Sequence, residues 1–413
     1  MSTTMSKTAS LIETAKRVQL QNYRPAPVVL SEGKGARVRD VEGREYLDLA
    51  AGLAVTSVGH GHPKLARAIG EQAARLMHVS NLWYNDRGIE LAERLTRRTG
   101  FERVFFCNSG TEANEALFKL ARHYHFSRGD KQRTGVVSTI SSFHGRTMGA
   151  LTLTGQIKYH EGMGPLIGGV THVPYGDLAA MRAAVSATTA AVIVEPIQAE
   201  GGIHVPPAGY LAGLRELCDQ SGALLLLDEV QTGCGRTGTF LGAEPSGVMA
   251  DACSLAKGIA GGFPLGAMLV REKLANALPP GTHASTFGGN PLAAAAALAV
   301  LDIFEEEHVL ENVDARGVEL ARALAALVRE FPKSAIEARG RGLLQGIVLG
   351  AGVDPAQALG RVREQGALAT LAGGNVLRIC PALTITAAEL SEGLAHVRAA
   401  FAVIEKSLEE TAP

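Results

Sequence analysis

The run Ala223-Leu224-Leu225-Leu226-Leu227 is apolar without a break and gives way at once to Asp228-Glu229-Val230-Gln231-Thr232. Such a run between turn signals predicts a strand buried on both faces, with Asp228 at its carboxyl end. Residues 104–107, 136–140 and 190–194 repeat the pattern, each followed by small or polar residues. Between these runs, apolar positions recur every three or four residues over 63–77, over 89–99 up to Gly100, from Gly110 through Leu120, and at Leu211, Leu214, Leu217 and Cys218 before Gly222. These segments predict helices. Strands alternating with helices imply an α/β fold built on a mainly parallel sheet with right-handed crossovers.

The ends of the chain read differently. Residues up to about Leu20 form a loose or helical arm, residues 38–49 alternate as a hairpin around Glu42-Gly43, and Gly59-His60-Gly61-His62-Pro63 is an ordered loop. Asn290 caps and Pro291 begins a long alanine-rich helix reaching about Glu307. Strands at 343–349 and 376–379 with helices at 355–365 and 387–406 make a compact α+β end. The expected division is 1–62 as arm and part of a small domain, 63–305 as the large domain, and 306–413 as the rest of the small α+β domain.

Composition narrows the setting. At 413 residues with 46% hydrophobic, the chain exceeds what one core supports. A net charge of −1 argues against a polyanion-binding surface, and so against nucleic acid. Cys107, Cys218, Cys234, Cys253 and Cys380 form no CxxC pair and fit neither a disulfide nor a zinc framework. No apolar leader core precedes residue 20 and no run reaches membrane-span length, so a cytoplasmic setting without membrane contact is expected.

Candidate chemistry gathers where the strands end. Lys257, closing the short apolar segment Ser254-Leu255-Ala256, can reach the crevice that holds Asp228. A lysine can hold an aldehyde as a Schiff base, and a buried aspartate can keep a pyridine nitrogen protonated; pyridoxal phosphate chemistry needs both. The plainer alternatives are a helix cap for Asp228 and a solvated Lys257. Ser109, Gly110 and Thr111 open a helix straight after a strand, which suits a phosphate, or a simple N-cap. Phe143 could stack on a flat ring and Arg146 clamp a carboxylate, or they could be core and solvated surface. Glu195 and Glu200 add acids at the same edge. His60 and His62 lack a third ligand nearby, and no metal is expected. Gly233-Cys234-Gly235-Arg236-Thr237-Gly238 satisfies the dinucleotide fingerprint, but it neither follows its strand directly nor opens a helix, which weighs against a nicotinamide-dependent oxidoreductase. A non-catalytic binder would have no need of Lys257 beside Asp228.

Six pieces in order resemble the class III pyridoxal-phosphate aminotransferases of fold type I: residues 108–115, Phe143-His144-Gly145-Arg146-Thr147, Glu195-Pro196-Ile197-Gln198, Asp228-Glu229-Val230-Gln231-Thr232-Gly233, Ala256-Lys257 and residues 285–291. The resemblance is nearest to the branch acting on acetylornithine. It implies that Lys257 carries pyridoxal 5'-phosphate, Asp228 pairs with the ring nitrogen, Gln231 lies near the ring hydroxyl, and Phe143 and Val230 sandwich the ring. Gly110 and Thr111 would hold the phosphate with Thr286 from the partner of an obligate homodimer; Ser109, Glu195 and Glu229 complete the cofactor set. Arg146 would take the distal carboxylate of an ω-amino donor, Arg378 the α-carboxylate of glutamate, Glu200 would mask Arg378, and Ser285 would touch substrate. The implied reaction is a ping-pong transfer of the δ-amino group of N2-acetyl-L-ornithine to 2-oxoglutarate, with 4-aminobutyrate, succinylornithine, ornithine and N-acyl-lysine as alternative donors. Ala199 replaces the family's usual glycine, Thr56 an asparagine common in the acetylornithine branch, and Leu53 the tyrosine of enzymes that accept free ornithine.

Overall fold

The computed structural model describes residues 5–410; the first four residues of the expected N-terminal arm lie outside them. The arm is a helix, Lys7–Val18, capped by the Ser6 side chain and burying none of its residues. Three short strands follow, β1 (Leu30–Lys34), β2 (Arg37–Asp40) and β3 (Glu45–Asp48), with β2 and β3 forming the expected hairpin.

The central sheet consists of β4 (Arg103–Cys107), β5 (Gly135–Thr139), β6 (Val170–Val173), β7 (Thr189–Val194), β8 (Leu224–Asp228), β9 (Ala252–Leu255) and β10 (Gly266–Val270), in the order β4-β10-β9-β8-β7-β5-β6. All pairings are parallel except those of β10, which runs antiparallel to both β4 and β9. Being flanked by two strands of one direction, β10 leaves β4 parallel to the rest. The carboxyl ends of β4, β5, β7, β8 and β9 therefore share one edge. Every residue of β8 is buried, as its unbroken apolar pattern requires, and Asp228 lies in register with Ser254 of β9.

A third sheet, β11 (Ala335–Arg341) and β12 (Leu344–Leu349) with β14 (Thr370–Ala372) and β15 (Val376–Ile379), is antiparallel in the order β11-β12-β15-β14. The remaining strand, β13 (Ala367–Leu368), pairs parallel with β3, joining C-terminal chain to the N-terminal sheet. The alanine-rich helix runs Pro291–Glu306, capped by Asn290, and is buried nearly all round. Small side chains let neighbouring backbones approach it on every side, where a surface helix would show a polar stripe.

Several elements go beyond the sequence reading: β6, β10, the helix Leu178–Ala184 and the 22-residue helix Val309–Glu330. Residues 233–238 are a chain of turns, so the fingerprint opens no helix. His60 bonds Asp48 at 2.7 Å and His62 bonds Glu307 at 3.0 Å, as loop residues would. No metal-ligating cluster occurs among the described residues, and none of their helices is long and apolar enough to cross a membrane.

Candidate active site

At the shared strand edge lies a cavity of about 390 Å³ lined by residues from Ser109 to Thr111, by Phe143, Arg146, Glu195, Asp228, Val230, Gln231 and Lys257. A larger hollow of about 620 Å³ lies apart from it, between Arg37 and His62, and is rimmed by ion pairs such as Arg37–Glu45.

Asp228 is 3% exposed, and its carboxylate is held from behind. Oδ2 accepts from Asn114 Nδ2 and contacts His144 Nδ1, each at 2.7 Å; Oδ1 accepts the Val230 amide at 2.9 Å. Asn114 is itself oriented, donating to the His144 carbonyl and accepting from Ser254 Oγ at 2.7 Å. His144 and Asn114 carry this scaffold, yet in the sequence they look like ordinary members of a loop and a helix. The one signal for them was their place inside the quoted motifs.

Lys257 begins a short turn, Lys257–Ala260, with φ of 47°, a left-handed conformation that costs a side chain about 1–2 kcal/mol and recurs at functional sites. Burial first of all lowers its pKa, so the neutral amine is easier to form than in water, while Glu200 pulls the other way. Beside it Glu200 Oε1 meets Arg378 Nη1 at 2.5 Å, the Gln231 side-chain nitrogen at 3.0 Å and Lys257 Nζ at 3.9 Å. Burial alone would push the Glu200 carboxyl up, but the charges of Arg378 and then Lys257 bring it down to about 2. Arg378 is fully buried and also donates to Gln231 Oε1 at 2.9 Å and to Thr370 Oγ1 at 3.0 Å.

The helix Gly110–Ser127 presents its first turn to the cavity. Ser109 is its N-cap, accepting the Glu112 amide, so the cap reading of this residue is realised. The first-turn amides of Gly110 and Thr111 have no intrahelical acceptor and favour an anion. Gly110 also makes room for Val230: a Cβ there would come within 2.6 Å of Val230 Cγ1. Thr111 turns its hydroxyl to the next loop, where Oγ1 accepts the amides of Arg146 at 3.0 Å and Thr147 at 3.1 Å. On the opposite wall Glu195 accepts the Phe143 amide at 3.0 Å and the Ala199 amide at 3.1 Å, and burial raises its carboxyl to about 7. Arg146 is exposed, lies 3.9 Å over the Tyr159 ring, and forms no ion pair among the described residues.

Two expected cofactor residues stand away from the cavity. Glu229 turns its carboxylate to the amides of Gly242 and Ala243 and to the Thr232 hydroxyl; chain neighbours at a strand end point to opposite sides, and only Asp228 faces the crevice. Thr286 is exposed and does not line this chain's cavity. Ser285 is nearer: its hydroxyl accepts from Asn108 Nδ2 at 3.3 Å and from the Gly288 amide at 3.0 Å.

An amine, a carboxylate, the apolar side chains of Phe143 and Val230, and a helix start that favours an anion converge at one sheet edge, which is the equipment of a pyridoxal-phosphate enzyme. The chain belongs to the class-III aminotransferase family, whose model matches residues 18–401, and that family is pyridoxal-phosphate-dependent. Its similarity extends to individual proteins. It is 50% identical to the acetylornithine aminotransferase of Myxococcus xanthus over 386 residues, 93% of this chain and 96% of that one. Among solved structures it resembles the ornithine aminotransferase of Toxoplasma gondii, with a TM-score of 0.94 and 33% identity over 98% of this chain and 97% of that chain. It also resembles the N-acetylornithine aminotransferase of Stenotrophomonas maltophilia, with a TM-score of 0.83 and 39% identity over 96% of this chain and 100% of that chain.

Proposed function

We propose that the protein transfers the δ-amino group of N2-acetyl-L-ornithine to 2-oxoglutarate, with Lys257 and Asp228 as its catalytic residues. The observation that carries the reading is a strained, half-buried lysine lining the cavity, with Glu200 3.9 Å from its Nζ and masking Arg378, in a chain half identical to an acetylornithine aminotransferase.

Pyridoxal phosphate, when bound, supplies the electron sink for moving an amino group between two carbon skeletons. The residues present fit it: Lys257 for the aldehyde, Asp228 for the ring nitrogen, Phe143 and Val230 for the ring faces, Gln231 for the ring hydroxyl, and the Gly110 and Thr111 amides for the phosphate. Lys257, whose proton is loosened by burial, would take the proton from the donor's amine-bearing carbon and deliver it to the cofactor carbon, and would run the same transfer in reverse for the acceptor. Asp228 keeps its orientation because Asn114, His144 and the Val230 amide fix both of its oxygens. Glu195 anchors the Phe143 loop from behind.

Substrate choice falls to three charged groups. Arg146, without an ion-pair partner among the described residues and braced on Tyr159, takes the donor's α-carboxylate, which leaves the δ-amine to reach Lys257. Arg378 takes the α-carboxylate of glutamate or 2-oxoglutarate once Glu200 releases it. For the first substrate Glu200 stays in place and cancels the Arg378 charge.

The site is completed in a homodimer, in which Thr286 serves the partner's cavity. Supporting this are the exposed position of Thr286 and the uncovered apolar stretch Leu82-Trp83-Tyr84, where Trp83 is 68% and Tyr84 95% exposed. The five cysteines are all buried and unpaired, which suits a reducing cytoplasm. A donor panel with 2-oxoglutarate tests the assignment. N2-acetyl-L-ornithine should exceed ornithine and 4-aminobutyrate at least tenfold in kcat/KM, about 1.4 kcal/mol; equal turnover of either competitor would overturn the donor.

A further inference from the structure

The glycine-rich run 233–238 belongs to no dinucleotide site, yet its arginine sits in an unusual position. Arg236 is 2% exposed and forms no ion pair among the described residues. Its Nη1 donates to two main-chain carbonyls, Leu343 at 3.0 Å and Pro381 at 2.6 Å, while Nε and Nη2 are unpartnered. Burial lowers its pKa to about 10, so it stays charged at neutral pH. The glycines serve its placement: a Cβ on Gly235 would meet Leu310 at 2.9 Å and Phe304 at 3.0 Å, and one on Gly342 would meet the Thr237 backbone at 2.6 Å.

A buried cation paired only with carbonyls is a poor means of stabilising a fold, since apolar replacements of buried ionic groups are often neutral or better. What the two carbonyls have in common is Arg378. Pro381 lies three residues beyond it, and Leu343 leads into β12, whose Gly346 is the cross-strand partner of Arg378. At its other end the clamp begins five residues after Gln231, whose side-chain oxygen accepts from Arg378. The backbone seals the same junction, with the Leu343 amide donating to the Arg236 carbonyl at 3.0 Å. Arg236 therefore closes a ring that runs from Gln231 through Arg378 and back along the chain.

We propose that Arg236 is a positioning residue: by gripping both strands around Arg378 from the loop that carries Gln231, it sets how Arg378 meets Glu200 and an incoming α-carboxylate. The proposal rests on the reading of Arg378 as the glutamate carboxylate site. Donor binding through Arg146 lies outside this ring and is independent of it.

The test measures the two half-reactions separately with the holoenzyme, following the cofactor's absorbance after mixing with N2-acetyl-L-ornithine or with glutamate, and again with 2-oxoglutarate on the aminated form. Arg236→Met should raise the half-saturating concentrations of glutamate and 2-oxoglutarate at least fivefold, change acetylornithine less than twofold, and leave the melting temperature unchanged or higher. Arg236→Lys, keeping the charge and one reach, should recover part of that loss. Unchanged values for both dicarboxylates, or an equal loss in both half-reactions, would overturn the proposal. If the methionine variant does not fold, the lysine variant decides by the same criterion: a rise of about two- to threefold confined to the dicarboxylates supports it, and a parallel loss ends it. Arg378→Ala runs alongside. A normal glutamate response there removes the reading beneath the proposal, a failure distinct from an untouched Arg236 variant beside a crippled Arg378 variant.

Discussion

Replacing Glu200 with alanine should turn the enzyme toward glutamate. The carboxylate occupies Arg378 at 2.5 Å, and any substrate carboxylate must displace it. Against the opposing pull of burial, Arg378 and then Lys257 lower the Glu200 carboxyl from 4.5 to about 2. At about 1.4 kcal/mol per pH unit, the ionised carboxylate is held by about 3 kcal/mol. Lys257 and Gln231 hold part of that, so freeing Arg378 should strengthen glutamate binding by roughly tenfold, with a ceiling near a hundredfold. Removal also leaves Arg378 buried without its anion, which adds to its appetite for a carboxylate. Acetylornithine gains nothing useful, because its carboxylate is needed at Arg146 for the δ-amine to reach Lys257. The assay is stopped-flow absorbance of each half-reaction, with cofactor content checked first. The ratio of kcat/KM for glutamate over acetylornithine should rise at least tenfold; a ratio that stays put in a fully loaded variant would refute the masking argument.

Two further outcomes follow from the same geometry. Thr286→Ala should weaken cofactor retention by the loss of one charge-assisted hydrogen bond, roughly 1.5–3 kcal/mol, measured by dialysis against free cofactor; mixed dimers of Thr286→Ala with Lys257→Ala should regain activity, and their failure while folded would exclude a shared site. Arg146→Ala should abolish the acetylornithine half-reaction while the cofactor stays bound, and retained turnover would move the donor carboxylate elsewhere.

The central sheet was legible where both faces of a strand are buried. Leu224 to Leu227 must be apolar throughout because neighbours cover them above and below, and the abrupt change at Asp228 marks the strand end in any reading. Strand β10 is hard to read for the opposite reason: its apolar run is only four residues long after a Gly- and Pro-rich approach, and only the tertiary arrangement shows that it slots antiparallel between β4 and β9. The helix Val309–Glu330 buries Val313, Gly317, Leu320, Leu324 and Leu327, a helical spacing that the sequence itself displays. Within the site, residue type pointed to Lys257, Asp228 and Arg378, because few other side chains supply an amine, a buried carboxylate or a forked cation. Direction was not readable. Glu229 looks equivalent to Asp228 in the sequence, but it is committed to Gly242 and Ala243; Thr111 offers a hydroxyl that the structure spends on the Arg146 loop. Nor does a sequence reveal that Asn114, far along the chain, will press against Asp228.

The central claim is that Lys257 is the point of attachment for pyridoxal phosphate in the cavity closed by Asp228. Borohydride reduction of the purified, cofactor-loaded protein, followed by peptide mass spectrometry, tests it most directly. The protein should be yellow and lose its visible absorbance on reduction, with one pyridoxyl group fixed on Lys257 and none in Lys257→Ala. A protein that stays colourless after incubation with pyridoxal phosphate, or a label carried by another lysine, would contradict it.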